Sequence, residues 1–400
     1  MPPATPPAAS PGRATAASPS ANRLACYAVT APGLEAIAAA ELGPLVEAPV
    51  AADVGGVAFA ASRTELYRVN LWSRVASRVL VRLAEFEAAH FSELQRGCER
   101  VRWEQFVGPR DGVRIRVTCR KSRLYHSDAV AERVGEAIRR RTGAVVVEGA
   151  GGEDEEAGGG AQLIVVRLLY DQCTISADSS GELLHRRGYR QAVAKAPLRE
   201  TLAAAMLLAS GYDGSGPLLD PLCGSGTIPI EAALIARGIA PGRHRSFAFE
   251  RWLDFDAGAW RTLRARADEG VRSFAAHPIA GSDRDAGAVR AARSNAERTG
   301  VADDVTLESR ALSAAVPPEG AAGWLVTNPP YGKRLGEADA LRDLWARLGQ
   351  FARVRCPGWR MAVLAPGGLV GARLDVPLDA VASTRNGGLA VDVAVGTVPG

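Results

Sequence analysis

The second half of the chain alternates between short apolar strand patterns and longer helix patterns, and this order strongly limits the possible folds. Parallel strands joined by crossover helices produce such an alternation. The predicted elements are helix Leu198–Ala209, strand Pro217–Asp220, helix Ile228–Arg237, a strand ending at Asp283, helix Ala286–Thr299, strand Val305–Glu308, strand Trp324–Thr327, helix Ala338–Arg353 and strand Arg360–Leu364. The predicted fold class is therefore α/β, with a doubly wound, mostly parallel sheet.

The last predicted elements are two extended runs within Val381–Thr397, on either side of Asn386-Gly387-Gly388. An Asn-Gly pair between extended runs is a β-hairpin signal, because these residues tolerate left-handed turn conformations. The hairpin brings the predicted sheet to seven strands.

A glycine-rich turn, Asp220-Pro221-Leu222-Cys223-Gly224-Ser225-Gly226-Thr227, leads from the first of these strands into a helix. Glycine lets the backbone approach a ligand closely, and a helix start presents free N–H groups. The turn lacks the lysine of a phosphate-binding loop and the third glycine of the dinucleotide fingerprint. We therefore expect a ligand without phosphates, such as S-adenosylmethionine.

Asp283 ends the second strand of this half, where a carboxylate can accept hydrogen bonds from two ribose hydroxyls. The alternative for Asp283 is a helix N-cap, although Asp285 is better placed for that role. The predicted cofactor-binding residues are Asp220, Cys223, Gly224, Ser225, Gly226, Thr227 and Asp283.

A second turn, Asn328-Pro329-Pro330-Tyr331, follows the fourth strand and is similar to the amino-group clamp of methyltransferases that act on nucleobases. An aromatic amine is a poor nucleophile because its lone pair is delocalised into the ring. Carbonyl groups of Asn328 and Pro329 that accept both N–H bonds would free this lone pair. The prolines stiffen the turn, and Tyr331 offers a ring on which an extruded base can stack. All four residues are predicted to be catalytic; the alternative is a structural turn capped by a buried tyrosine.

Composition excludes several classes of protein. The 400 residues suffice for two or three domains, and the net charge of +4 permits a polyanionic partner without requiring one. The six cysteines form no Cys-x-x-Cys pair, which argues against a zinc ribbon, an iron–sulfur cluster or a disulfide framework. No apolar run reaches the ~18–20 residues of a membrane helix. We expect a cytoplasmic enzyme that uses no metal.

The first half of the chain gives weaker patterns. Leu24–Thr30, Val113–Thr118 and Leu163–Ile175 are predicted strands, while Arg63–Leu83 and Ser127–Arg141 are predicted helices. The glycine-framed acidic segment Gly151–Gly160 is a predicted exposed loop.

Three motifs now stand in one order: residues 220–233, 281–283 and 328–336. Together they resemble the THUMP-domain RNA guanine-N2 methyltransferases, specifically the bacterial branch that modifies large-subunit ribosomal RNA. The resemblance covers roughly residues 24–398. Its further segments are 30–35, 70–80, 122–126, 184–190, 196–201 and 247–252.

The resemblance implies a ferredoxin-like and THUMP region that binds structured RNA, followed by a Rossmann-like class I methyltransferase domain. The expected domains are a disordered tail (1–22), a ferredoxin-like segment (23–66), a THUMP domain (67–180) and the methyltransferase domain (181–400). Neither a membrane nor an obligate protein partner is expected. Many relatives end the third strand with an acidic residue that contacts the cofactor adenine. Ser309-Arg310-Ala311 stands there instead, which leaves Glu308 or a backbone carbonyl as alternatives.

Basic residues with neighbouring tyrosines are candidates for phosphate contact and base stacking. The predicted RNA-binding residues are Lys121, Arg123, Tyr125, Arg187, Tyr189, Arg190, Lys333 and Arg334. For each run, the alternative is an ordinary solvated helix or loop surface.

The predicted reaction is direct transfer of a methyl group to the exocyclic N2 of a guanosine in 23S ribosomal RNA. Carbon methylation normally needs a cysteine nucleophile, and the turn at 328–331 has none. Three alternatives remain: guanine-N2 methylation of transfer RNA, adenine-N6 methylation of DNA or RNA, and a non-catalytic RNA-binding assembly factor. The resemblance to a THUMP domain favours structured RNA, and the intact clamp favours an enzyme.

Overall fold

The structure is a computed structural model that describes residues 23–109, 111–147, 160–190, 198–331, 338–366 and 374–400. The described residues form two sheets, one in each half of the chain. The predicted tail 1–22 and all but the last residue of the predicted acidic loop lie outside them.

The first half forms a sheet of eight described strands with helices packed on it. Its elements are β1 (Leu24–Val29), α1 (Glu35–Leu42), β2 (Val50–Asp53), β3 (Gly56–Ala61), α2 (Arg63–Trp72), β4 (Arg78–Glu87), α3 (Phe91–Glu99), β5 (Gly112–Arg120), α4 (Ser127–Thr142), β6 (Val145–Val146), β7 (Gln162–Leu169) and β8 (Gln172–Asp178). The strand order is β2-β3-β1-β4-β8-β7-β5-β6. Strand β4 pairs with β1 on one side and with β8 on the other, so the sheet is continuous. The predicted boundary at residue 66 falls inside helix α2.

Two predicted elements of this half are wrong. The predicted helix Arg63–Leu83 ends at Trp72, and β4 begins at Arg78. The apolar residues of β4 could form a helix or a strand, and pairing with β1 and β8 makes them a strand. The predicted strand Leu163–Ile175 is a hairpin. Its turn residues Tyr170 and Asp171 have φ angles of 51° and 60°, a left-handed turn without glycine.

The second half forms a sheet of seven described strands, in the order β11-β10-β9-β12-β13-β15-β14. Its elements are α5 (Glu200–Ala209), β9 (Leu218–Asp220), α6 (Thr227–Ala236), α7 (Ala257–Glu269), β10 (Ile279–Asp283), α8 (Ala286–Thr299), β11 (Val305–Ser309), β12 (Trp324–Thr327), α9 (Ala338–Arg355), β13 (Arg360–Pro366), β14 (Leu378–Asn386) and β15 (Leu389–Thr397). Strands β9 to β13 are parallel, and β14–β15 is an antiparallel hairpin. The predicted fold class is confirmed.

The two halves share an apolar core. Helices α5 and α6 are buried on nearly all sides, as expected for the apolar runs Glu200–Ala209 and Thr227–Ala236. Tyr67 of α2 stacks on Phe249 of the segment between α6 and α7, with ring centroids 4.5 Å apart. In the parts of the chain that the structure describes, no helix is long and apolar enough to cross a membrane.

Candidate active site

The carboxyl ends of β9, β10 and β12 lie side by side, since these strands are neighbours in the parallel sheet. In open α/β sheets, the crevice beyond these ends is where ligands bind. The structure therefore brings the glycine-rich turn, Asp283 and the Asn328 turn to one edge of the molecule.

The glycine-rich turn has the backbone conformation that its glycines predict. Gly224 and Gly226 have φ angles of 51° and 82°, and α6 begins directly after Gly226. A Cβ on Gly226 would lie 2.8 Å from the Cβ of Ala292 in α8, so the helix packing requires glycine there. A Cβ on Gly224 would meet no atom within 4 Å. The turn is thus tightly packed on one side and open on the other.

Asp283 holds this turn from the neighbouring strand. Its Oδ2 accepts a hydrogen bond from the Gly224 N–H (3.0 Å), and its Oδ1 accepts one from the Asp285 N–H (2.9 Å). Asp285 caps α8 by accepting from the N–H groups of Gly287 and Ala288, which confirms the capping prediction. Asp283 is therefore not the cap. It stays half-buried in the crevice, and each carboxylate oxygen retains a lone pair for a ligand.

Asp220 lies beneath the turn rather than on its open side. It is 1% exposed, and its Oδ1 accepts hydrogen bonds from the Thr327 hydroxyl (2.7 Å) and the Leu222 N–H (3.1 Å). Burial, with a smaller contribution from the Asp283 charge, raises the pKa of Asp220 to about 7. The Thr327 bond ties the glycine-rich turn to the residue directly before Asn328.

The other residues of the turn also make internal contacts. The Cys223 N–H donates to the Ser282 carbonyl (2.9 Å), and burial raises the pKa of the Cys223 thiol. The Ser225 carbonyl accepts from Asn295 of α8 (3.0 Å), and the Thr227 hydroxyl accepts from Arg190 (2.9 Å). These contacts fix the shape of the turn.

Asn328 carries an unsatisfied acceptor. Its Oδ1 is buried and has no hydrogen-bond partner among the residues that the structure describes. A buried acceptor without a partner costs about 1–3 kcal/mol, because folding removes its hydrogen bond to water. A ligand N–H group would replace that hydrogen bond. Pro329 is buried, whereas Pro330 is exposed.

Tyr331 is half-buried, and its hydroxyl accepts a hydrogen bond from the side-chain amide of Asn386, the last residue of β14. Burial raises the pKa of Tyr331. The sequence patterns indicated a turn at Asn386 but not this contact, because the two residues are far apart in the chain.

Three of the predicted RNA-binding residues lie on an exposed surface between β5 and α4. Lys121, Arg123 and Tyr125 are exposed, and Tyr125 retains 68% of its accessible surface. The Lys121 ammonium group lies 3.0 Å from the Tyr170 hydroxyl and over the Tyr170 ring. Arg123 pairs with Asp171 at 3.6 Å. We call Lys121, Arg123, Tyr125 and Tyr170 the basic–aromatic cluster; Tyr170 was not predicted.

Arg187 and Tyr189 are not on the surface, which contradicts their predicted contact with RNA. Arg187 is 7% and Tyr189 3% exposed, and both contact the fully buried Glu231 of α6. The Arg187 Nε lies 3.5 Å from Glu231, and the Tyr189 hydroxyl donates to Glu231 at 3.3 Å. Arg187 also donates to the backbone carbonyl of Arg74 (2.6 Å). We call Arg74, Arg187, Tyr189 and Glu231 the linker network.

Arg190 is also directed inward. It pairs with Glu200 at 3.2 Å and donates to the Leu198 carbonyl at 2.7 Å, in addition to its bond with Thr227. Arg190 is partly buried, and these contacts lie at the starts of α5 and α6; its contact with RNA stays a prediction. Lys333 and Arg334 lie outside the described residues.

The third strand ends in an ion pair. Arg310 and Glu308 lie 3.0 Å apart, and the Arg310 N–H donates to the Asp283 carbonyl (2.9 Å). Glu308 is one of the two alternatives for the contact with the cofactor adenine, and its carboxylate is already paired with Arg310.

Comparisons with known proteins match the chain along most of its length. Residues 187–369 match the family described as "RMKL-like, methyltransferase domain". Residues 25–80 match the RlmL ferredoxin-like domain, and residues 88–178 match the THUMP domain.

Whole-chain similarity extends to curated and solved proteins. A Synechocystis protein, provisionally named as an RNA methyltransferase, is 37% identical over 372 residues, which cover 91% of this chain and 94% of that protein. The ribosomal RNA large subunit methyltransferase K/L of Syntrophotalea carbinolica is 40% identical, across 84% of this chain and 48% of that protein. The chain thus spans about half the length of such K/L relatives. A crystal structure of SMU.472, provisionally named a methyltransferase and complexed with S-adenosylhomocysteine, has a TM-score of 0.81 and 30% identity, covering 94% of this chain and 98% of that one.

Proposed function

The chain belongs to the family of THUMP-containing, S-adenosylmethionine-dependent RNA methyltransferases, and from this premise we propose that it methylates the exocyclic N2 of a guanosine in 23S ribosomal RNA. The proposal rests on the buried Oδ1 of Asn328, which has no hydrogen-bond partner within the described part of the chain and lies beside the glycine-rich turn. That arrangement suits an acceptor for an amine N–H next to a methyl donor. The ribosomal target is supported by the name of the K/L relatives.

The cofactor would lie on the open side of the glycine-rich turn. The backbone of Gly224 and Gly226 allows close approach, and the remaining lone pairs of Asp283 suit the two ribose hydroxyls. When bound, the cofactor supplies a methyl carbon activated by a sulfonium. Asp220, Cys223, Ser225 and Thr227 would act mainly by holding the turn in shape, as their internal contacts indicate.

The clamp residues would prepare the nucleophile. The Asn328 Oδ1 and the Pro329 carbonyl accept the two N–H bonds of the guanine amine and draw the nitrogen toward tetrahedral geometry. As the N–C bond forms and the S–C bond breaks, positive charge develops on the nitrogen, and these two dipoles stabilise it. The methylated nitrogen would then release one proton to water. Tyr331 would stack on the base.

The first test is methyl transfer from labelled S-adenosylmethionine to 23S ribosomal RNA, transfer RNA and DNA, followed by nucleoside digestion. We expect N2-methylguanosine from 23S RNA. Asn328→Ala should lower kcat by roughly 10²–10³-fold, as for the loss of one preorganised dipole, with unchanged cofactor affinity by calorimetry. Asn328→Asp, which keeps an acceptor, should lose less.

Each other result has a distinct meaning. Methylated transfer RNA or N6-methyladenine would replace the proposed substrate while keeping the clamp. Cofactor binding without transfer to any nucleic acid would favour an assembly factor. Normal turnover by Asn328→Ala would refute the clamp.

A further inference from the structure

The aromatic ring of the clamp is held by a different part of the chain from the rest of the turn. Asn328 and Pro329 are placed by β12, whereas the Tyr331 hydroxyl is bound by the Asn386 amide, 55 residues further along. Asn386 ends β14 and is followed by Gly387 and Gly388, whose φ angles are 55° and 82°. This left-handed turn sets the register in which Asn386 lies opposite Leu389.

The β14–β15 hairpin is itself fixed on two sides. Strand β15 pairs with β13 along the whole length of β13. On β14, the loop before α1 packs so closely that a Cβ on Gly33 would lie 1.8 Å from the Ser383 carbonyl oxygen. The hairpin is therefore packed between the methyltransferase sheet and the first half of the chain, and Asn386 lies at its tip.

A stacking ring contributes to catalysis only if it is held where the target base arrives. Fixing a side chain that could otherwise rotate costs about 0.5–1.5 kcal/mol, and a preformed hydrogen bond removes that cost from the binding step. The Asn386 amide donates to the hydroxyl at the far end of the ring, where a contact best limits rotation about χ1, the rotation that would move the whole ring away. We propose that Asn386 is a positioning residue that fixes the position of the Tyr331 ring against the target base. This inference rests on the function proposed above.

The test is a double-mutant cycle in single-turnover methylation of a 23S ribosomal RNA transcript with labelled S-adenosylmethionine. Tyr331→Phe keeps the stacking face and removes the hydroxyl, while Asn386→Ala removes the donor. Each should slow transfer about 5–20-fold, and the double variant should be no slower, because both remove the same bond. Cofactor affinity and melting temperature should stay at wild-type values.

Ser383→Ala is the matched control. It removes a side-chain hydrogen bond to Asp392 (2.7 Å) from the same hairpin without touching Tyr331, and it should methylate at the wild-type rate. A second readout is independent of activity: the NMR shift of a 13C label at the Tyr331 Cζ, assigned with Tyr331→Phe, should move in Asn386→Ala and stay in Ser383→Ala.

Additive losses in the double variant, or an unchanged NMR shift in Asn386→Ala, would overturn the inference. A wild-type rate in Asn386→Ala, together with a large loss in Asn328→Ala, would overturn it while leaving the proposed function intact. If the wild type transfers no methyl group to any nucleic acid, the proposed function fails, and the role of Asn386 in stacking fails with it.

Discussion

Two arginine-containing segments with neighbouring tyrosines are alike in sequence but differ in the structure. The basic–aromatic cluster lies on an exposed edge, where Lys121 and Arg123 face solvent. The linker network lies inside the protein, where Arg187 and Tyr189 surround Glu231. What distinguishes them is the partner. Arg123 pairs with an aspartate in an exposed turn. Glu231 lies on an otherwise apolar, buried helix, so the side chains that pair with it are buried as well.

The difference sets how each region should respond to mutation. Exposed ion pairs contribute about 0–1 kcal/mol to stability, because water solvates the separated charges nearly as well. Breaking a buried pair leaves one charge without water or a partner and costs several kcal/mol. The linker network should therefore govern folding, whereas the basic–aromatic cluster, a predicted RNA-binding surface, should contribute little to stability.

The largest expected effect is that of Glu231→Ala. Removing this carboxylate leaves Arg187 buried without its counter-charge, so the free energy of unfolding should fall by about 3–5 kcal/mol in urea titration. Arg123→Ala is the surface control and should change it by about 0.5 kcal/mol or less. The double variant Glu231→Leu/Arg187→Met should recover much of the loss, since it removes both charges. An equal loss in the double variant would contradict the assignment.

Sequence patterns predicted what local chemistry determines. Glycine at 226 is required by its left-handed φ and by Ala292, and Asp285 caps a helix whose start is evident in the sequence. The parallel sheet also follows from the strand–helix alternation. The clamp turn was identified from its residue types alone, although its catalytic role remains a prediction.

Local sequence patterns did not predict features that depend on contacts between residues far apart in the chain. Arg187 is buried because it bonds to Arg74, 113 residues earlier, and Tyr189 because it bonds to Glu231, 42 residues later. The Asn386 contact with Tyr331 was missed for the same reason. The Tyr170-Asp171 turn was missed because neither residue carries the usual glycine signal. No window of local sequence contains these partners.

Asp220 at the start of the glycine-rich turn is a second buried acid, and it can be compared with Glu231. With its pKa raised from 3.8 to about 7, Asp220 is protonated in the folded state and ionised in the unfolded state at pH values between these two pKa values. Its contribution to stability is therefore fully present at pH values below its unfolded pKa. It is lost as pH rises toward the folded pKa, by up to about 4 kcal/mol.

Urea titrations of the wild type and Asp220→Asn at several pH values between about 4 and 8 would measure this loss. Asparagine keeps an acceptor for Thr327 and Leu222 but cannot ionise, so its unfolding free energy should fall less steeply with pH. Parallel curves for the two proteins would show that Asp220 is ionised when folded.

A smaller effect separates the two tyrosine environments. Tyr189→Phe removes one hydrogen bond from Glu231 and should lower the free energy of unfolding by about 1 kcal/mol, with unchanged RNA affinity. Filter binding to a 23S RNA transcript gives the affinity. Weaker RNA binding at unchanged stability would mean that Tyr189 faces RNA after all.

The smallest expected effect on folding comes with a defined effect on RNA binding. Lys121 is held by the Tyr170 hydroxyl and ring, so its charge is already placed at the surface before RNA arrives. Lys121→Gln and Arg123→Gln should each change the free energy of unfolding by about 0.5 kcal/mol or less, because both side chains are exposed. Each should also reduce the slope of log affinity against log salt by about 1, because each variant would lose one predicted phosphate contact. Lys121→Arg keeps the charge and should keep the slope. If the slope is unchanged in both glutamine variants, the basic–aromatic cluster is not the RNA-binding surface. The difference between the cluster and the linker network would then concern folding stability alone.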